Sequence, residues 1–296
     1  MTRKENMLNY LHHRPCDEIP ADGDIMLMGN TDLIETLDIP VCERPLTGSG
    51  YDVFGVHWSE GTDASHYTQG QPPIYDDIED WRSQVRFPNV EKFDWAQLKA
   101  DAQKVDRENK VVNVVMYNGP FERTTMLTSF EDCLVNLMIS PEDYADLIGA
   151  IADYKIALIH KIWEAAQPDI YLIHDDWGTM KNTFMRPDMW REIIKPHTQR
   201  IYDAIHSHGA VVAQHSCGAI TPLVPDMVEM GADVWDGEAD CNDLPALKKQ
   251  YEGQMVIPLK LPHAEMVAAM GDMSDVSPLP GAKYGGYAEY PEFLFT

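Results

Sequence analysis

His215 and Cys217 are of a type and spacing that suit a metal ion. They close the run Ala210-Val211-Val212-Ala213-Gln214-His215-Ser216-Cys217-Gly218, where four small or apolar residues leave the Gly209 turn as a buried parallel strand, and Gly218 and Pro222 mark its end. Residues two apart on a strand point to one side. An imidazole and a thiol therefore emerge together at the strand's C-terminal end, where barrels and open α/β sheets keep their active sites. Zinc takes these ligand types and, in catalytic sites, keeps one position open for substrate. Taken alone, a His beside a Cys is more often packed core, and two ligands do not complete a tetrahedron.

The other candidate residues stand at the ends of other apolar runs. Val111 to Tyr117 is a β-rich stretch followed by the turn Asn118-Gly119-Pro120 and a helix over 128–138. A long helix is predicted from Pro141 to Ala166, with Ser140 as N-cap and Glu142 and Asp143 in its first turn. Strands follow at Asp169 to His174, at the His215 run, at Ala232 to Trp235 and at Met255 to Ile257, with helices over 187–208 and 243–251 between them. Such alternation implies right-handed βαβ units and a parallel sheet.

Each strand then ends in chemistry: Tyr117-Asn118, His174-Asp175-Asp176, His215-Cys217, and Asp236-Glu238 with Asp240-Cys241. In a parallel barrel these ends converge on one face. Glu238 lies 21 residues beyond Cys217 and Cys241 lies 24 beyond, so either could add a carboxylate or thiolate ligand. Asp175 and Asp176 could share a proton or position a substrate, or one of them could cap a helix. Glu122 and Arg123 are open to two readings, an internal ion pair or a substrate contact.

Before residue 110 the pattern is less regular. Residues 3–14 form a short amphipathic helix, and Ile25-Met26-Leu27-Met28 reads as the first strand's exit. From 30 to 110 the chain is rich in Pro, Gly, Asp and aromatics, as expected of loops and short helices over the barrel mouth.

A chain of 296 residues with 44% apolar content suffices for one large domain, and residues 1–296 are expected to form a single unit. The formal charge of −25 disfavours nucleic acid or an anionic membrane as main partner. Five cysteines, at 16, 42, 133, 217 and 241, show no framework spacing and read as free thiols of a reducing cytoplasm. Neither a signal-peptide core nor an uninterrupted membrane-length apolar run is present in the sequence.

Several motifs together carry a resemblance. They are Arg3-Lys4-Glu5-Asn6-Met7-Leu8 with Arg14-Pro15 and Ile19-Pro20, Gly119-Pro120-Phe121, His174-Asp175-Asp176-Trp177-Gly178-Thr179, Lys195-Pro196-His197 and His215-Ser216-Cys217-Gly218. Over roughly residues 3–250 the chain resembles the uroporphyrinogen decarboxylase superfamily, and within it the corrinoid-dependent methyltransferases that include ether-cleaving O-demethylases. The resemblance implies an α/β fold of the (β/α)8 TIM-barrel type. It also implies zinc held by the His-x-Cys pair and a distant C-terminal Cys, with Glu238 filling the place of a Glu found in more distant methionine synthases. Zinc would act as a Lewis acid while a methyl group passes from a small methylated substrate, such as an aryl methyl ether, to a corrinoid protein. The cobalamin belongs to that partner, for the chain has no Asp-x-His-x-x-Gly motif.

Two departures qualify the match. Where porphyrinogen decarboxylases carry Arg-Gln-Ala-Gly-Arg, this chain has Asp22-Gly23-Asp24-Ile25-Met26, which would repel a polycarboxylate. No Cys follows Cys241, and the Pro- and Gly-rich tail after Ile257 offers no clear strand to close the barrel. The expected metal ligands are thus His215, Cys217, Glu238 and Cys241. Asp24, His174, Asp175 and Asp176 are the catalytic candidates, and Tyr117, Asn118, Glu122 and Arg123 the substrate-binding ones. A homodimer is the expected assembly. The alternatives are a metal-free decarboxylase using Asp24 or Asp175, and a non-catalytic barrel that binds a small molecule.

Overall fold

The computed structural model describes residues 1–45, 49–58, 72–261, 265 and 285–296. Helix α1 (Arg3–Leu11) opens with a capping box in which Thr2 and Glu5 satisfy each other's backbone amides. Strand β1 (Ile34–Leu37) is followed by a small antiparallel pair, β2 (Gly50–Tyr51) and β3 (His57–Trp58). Helices α2 (Trp81–Gln84) and α3 (Trp95–Ala102) lead to β4 (Val111–Met116). Then come α4 (Pro120–Leu127), α5 (Phe130–Ile139), α6 (Pro141–Ala166), β5 (Ile170–His174), α7 (Pro187–Ile193), α8 (Lys195–His206), β6 (Val211–His215), α9 (Val224–Met230), β7 (Val234–Asp236) and α10 (Leu244–Gln250).

Among the described residues five strands form one sheet in the order β1-β4-β5-β6-β7, every pair parallel. The fold is α/β, of the TIM-barrel type. Met255 to Ile257, expected as a strand, contributes a single parallel bridge from Val256 to Val234. Much of the tail expected to bear on closing of the barrel, residues 262–264 and 266–284, lies outside the described residues.

Strand alternation sorts the side chains into two layers. Val111, Val115, Ile170, Leu172, Val211, Ala213, Val234 and Val256 form one buried cluster with Met7, Leu11, Ile25 and Leu27. Val112, Val114, Met116, Tyr171, Ile173, Val212 and Trp235 belong to another, packed against the helices. Ile25 and Leu27 therefore fill the inner core without being a strand, and the first strand lies later, at Ile34–Leu37. An apolar run next to a buried sheet looks the same in sequence whether it pairs or plugs.

Helix α6 has the predicted bounds, although Ser140 at its N-cap makes no capping hydrogen bond through its side chain. Helix α4 was not expected, since Asn118-Gly119-Pro120 reads as a turn. Pro120 in its first turn lacks only an amide that a helix start leaves unpaired anyway. The remaining amides are met from elsewhere: Phe121 N donates to Asp175 Oδ2 at 3.3 Å and Glu122 N to Asp175 Oδ1 at 2.8 Å. Gly119 permits that approach, because a Cβ there would stand 2.3 Å from the Asp175 Cβ.

Candidate metal centre

The inner-facing rows of β5, β6 and β7 end in His174, His215 and Asp236. His174 is register partner to His215, and His215 to Asp236. The two imidazoles stack with ring centroids 4.6 Å apart. Asp176, two residues beyond His174, keeps the same parity and reaches over the pair. His174, Asp176 and His215 each offer one ligand atom, all within 4.8 Å of one another.

Both imidazoles are oriented by a carboxylate. His174 Nδ1 donates to Glu122 Oε2 at 2.9 Å, and His215 Nδ1 donates to Asp236 Oδ2 at 2.8 Å. Each ring then keeps Nε2 as its ligating nitrogen, the arrangement that outer carboxylates impose on metal-binding histidines. The Nε2 of His215 lies 3.3 Å from Cys217 Sγ and 3.7 Å from Asp176 Oδ1. Asp176 Oδ1 also accepts from the Cys217 amide at 2.6 Å, tying the β5 and β6 loops together. Gly218 lets those loops touch, since its φ is +88° and a Cβ would meet the Gly178 backbone at 2.2 Å.

The protonation states follow from burial and charge. Burial works against an imidazolium at His174, but the Glu122 carboxylate outweighs it and raises the group above its ordinary value. Burial, reinforced by Asp176 and Glu238, raises the Cys217 thiol well above its usual range. The thiol is neutral until a cation displaces its proton. Asp236 is buried, yet Lys260 Nζ at 2.5 Å and His215 hold it far below the ordinary carboxylate range. Two imidazoles and a carboxylate at one point, with the Cys217 thiol beside His215 and the rings oriented from behind, fit zinc.

The profile described as Uroporphyrinogen decarboxylase (URO-D) matches residues 70–277, a span that carries all of these groups. The chain belongs to the uroporphyrinogen decarboxylase family. Its fold is shared with a methyltransferase from Methanosarcina mazei, at 17% identity over 91% of this chain and 88% of that one, with a TM-score of 0.53. No curated protein sequence matches it. Among the described residues no helix is long and apolar enough to cross a membrane.

The remaining candidates are placed around this member of the family as follows. Glu238 Oε2 accepts from the Gly218 amide at 2.8 Å and faces Cys241 Sγ at 3.7 Å, so these two hold the loop after β7 against the loop after β6. The structure does not bring them into the histidine group. Asp175 turns away from it, its oxygens taken by α4 and by Trp177 Nε1 at 2.9 Å. Burial and the nearby Glu122 charge push Asp175 up to about 7.

Arg123 is fully buried, 2.6 Å from Asp52 and 2.7 Å from Glu43, whose other oxygen meets Lys155 at 2.8 Å. It is therefore an internal ion pair, which settles one of its two readings by geometry. Asn118 has a left-handed backbone (φ 53°) and donates to the Glu43 carbonyl. Tyr117 ends the inner row of β4, its ring 5.5 Å from that of His174. Asp24 lies beside Arg3 of α1, and α1 is bound through Lys4 to Asp169 at the start of β5. It sits at the strands' N-terminal ends, away from the cluster. Sequence reasoning missed Lys260 as a partner of Asp236, and no local pattern points to it. Asp236 as a support for His215 was available from parity on adjacent strands.

Proposed function

We propose that this chain is a zinc-dependent methyltransferase that moves a methyl group from a small methylated substrate to a corrinoid carried by a separate protein. The observation that carries the reading is the convergence of His174, Asp176 and His215 at the strands' C-terminal ends, with Cys217 at its edge. Family membership and a fold shared with a methyltransferase support the reaction class. An aryl methyl ether is the finer substrate expectation.

His174, Asp176 and His215 would hold the zinc, with the Cys217 thiolate as fourth ligand or neighbour. Bound there, zinc supplies a Lewis acid for the heteroatom that loses its methyl group. In the transfer the methyl–heteroatom bond breaks, its electron pair stays on the heteroatom, and a methyl–cobalt bond forms on the reduced corrinoid. Glu122 and Asp236 fix the imidazole planes, and Lys260 holds Asp236 ionised. Asp175 anchors the helix that presents Glu122. The free thiols Cys217 and Cys241 fit a reducing cytoplasm.

The decarboxylase alternative has less support, because Asp24 is remote from the cluster and Asp175 is committed to α4. The test is methyl transfer by the anaerobic, zinc-loaded chain to a reduced corrinoid protein, read from the cobalt absorption across a panel of methyl ethers, methanol and methylamines. Transfer that disappears in His215→Ala and His174→Ala is expected. No transfer from any donor, or transfer indifferent to both substitutions, would overturn the reading.

A further inference from the structure

A second pair of histidines lies on the outside of the fold, at the end of the strands opposite to the His174–Asp176–His215 cluster. His160 is in the last turns of α6, and His208 stands just past the C-terminal end of α8, on the turn that leads into β6. Although 48 residues apart in the chain, His160 Nδ1 and His208 Nε2 are 2.9 Å from each other. Trp163, one turn along from His160, lies flat on the His208 ring, with centroids 4.7 Å and planes 15° apart, and so fixes where its Nε2 points. Burial and the neighbouring His160 hold the His208 imidazole below its ordinary value, which keeps it neutral at neutral pH. One proton bridges the two nitrogens, whereas a cation in its place would use a lone pair from each ring. Two nitrogens bound to one ion at about 2.0–2.1 Å stand about 2.9 Å apart at a right angle and about 3.3 Å apart at the tetrahedral angle. The observed separation matches the right angle. The negative ends of the α6 and α8 dipoles both point here, which favours a cation. Glu164 follows four residues after His160 on the same helix face, and its exposed carboxylate pairs with Lys161 Nζ at 3.3 Å, a surface contact that costs little to give up.

We propose that His160 and His208 form a surface site for a divalent cation that prefers right-angled ligands, nickel or copper rather than zinc, with Glu164 as third ligand and water in the remaining positions. The bridging proton is released to solvent as the ion binds. The ion clamps α6 to the turn that enters β6, the strand carrying His215. No residue of the strand-end cluster takes part, so the site stands or falls independently of methyl transfer.

The test is titration of the zinc-loaded full chain with nickel(II), followed by calorimetry and by tryptophan emission, because a paramagnetic ion beside His208 quenches Trp163. About one nickel per chain is expected in addition to any zinc, with a rise in unfolding temperature. His160→Gln and His208→Gln should each weaken nickel by at least about tenfold, a loss that even an outer partner of a metal ligand produces, and leave the zinc content unchanged. Glu164→Gln should weaken nickel less than either. Trp163→Phe, which keeps a ring over His208, should bind nickel and lose most of the quenching. No nickel uptake, uptake matched by released zinc, binding untouched by both histidine substitutions, or full quenching in Trp163→Phe would overturn the site. So would histidine variants that lower the unfolding temperature of the nickel-free chain while nickel changes nothing, since the pair would then be a structural contact alone.

Discussion

Two buried polar clusters, linked in the chain where Glu122, the partner of His174, precedes Arg123, are built on opposite logics. Around Arg123, every charge faces its opposite: Asp52 at 2.6 Å, Glu43 at 2.7 Å, and Lys155 on the second Glu43 oxygen at 2.8 Å. Around His215, groups of one kind face each other, namely two imidazole nitrogens, a carboxylate and a thiol, all of which are ligands for a cation. The first cluster pairs its charges within the chain and fastens Glu43 and Asp52 onto the helix layer. The second, on the proposed reading, is completed by a bound cation. The difference teaches how to tell structural from functional charge: by whether buried groups face opposite charges or gather ligand atoms of one kind.

The comparison can be broken from either side. The largest effect is expected at Arg123→Met, which leaves Asp52 and Glu43 buried beside one remaining cation; loss of one partner of a buried pair costs about 3–5 kcal/mol. Denaturant unfolding should show that loss, with zinc content per folded chain unchanged. A shifted metal content would mean the two clusters are not separable.

A pH effect comes next. Asp175 is raised to about 7 in the folded chain, against about 4 unfolded. The folded state thus holds a proton that the unfolded state has released between these values. Its stabilising contribution is full below about pH 4 and is lost as pH rises through about 7. Unfolding free energy measured from acid to neutral pH should fall less steeply in Asp175→Asn than in the unmodified chain; parallel curves would remove Asp175 as the cause.

A smaller loss is expected at Asp236→Asn, which keeps the shape but not the charge behind His215. Weakening of zinc by about 10–100-fold, with the fold intact, is the usual result of such a change, and competition with a chromophoric chelator measures it. The smallest is Cys241→Ser, expected to leave zinc affinity in place, since Cys241 faces Glu238 and lies outside the histidine group.

Much of the frame was readable because apolar runs and small residues dictate buried strands. His174 and His215 were identifiable as strand-end residues from Asp169 to His174 and from the Ala210 run, and period-two alternation put them on one side. What could not be read were contacts between strands. Lys260 meets Asp236 across 24 residues of chain, and neither neighbourhood carries a signal for the other. Helix α4 was hidden because its capping group, Asp175, arrives from a different strand. Glu238 was chosen for its distance along the chain, yet its oxygen is taken by the Gly218 amide, a choice made by loop geometry that spacing does not encode. Ile25 to Met28 reads as a strand, yet only Ile25 and Leu27 are buried, and they plug the inner core without pairing, while Met26 is exposed.

The most direct measurement is zinc per chain on anaerobically purified protein, for the unmodified sequence and for two sets of substitutions, with circular dichroism confirming the fold of each. A centre built on the inner rows predicts about one zinc, lost in His174→Ala, Asp176→Ala and His215→Ala and retained in Glu238→Gln and Cys241→Ser. Zinc retained in the first set, or lost in the second, would contradict it.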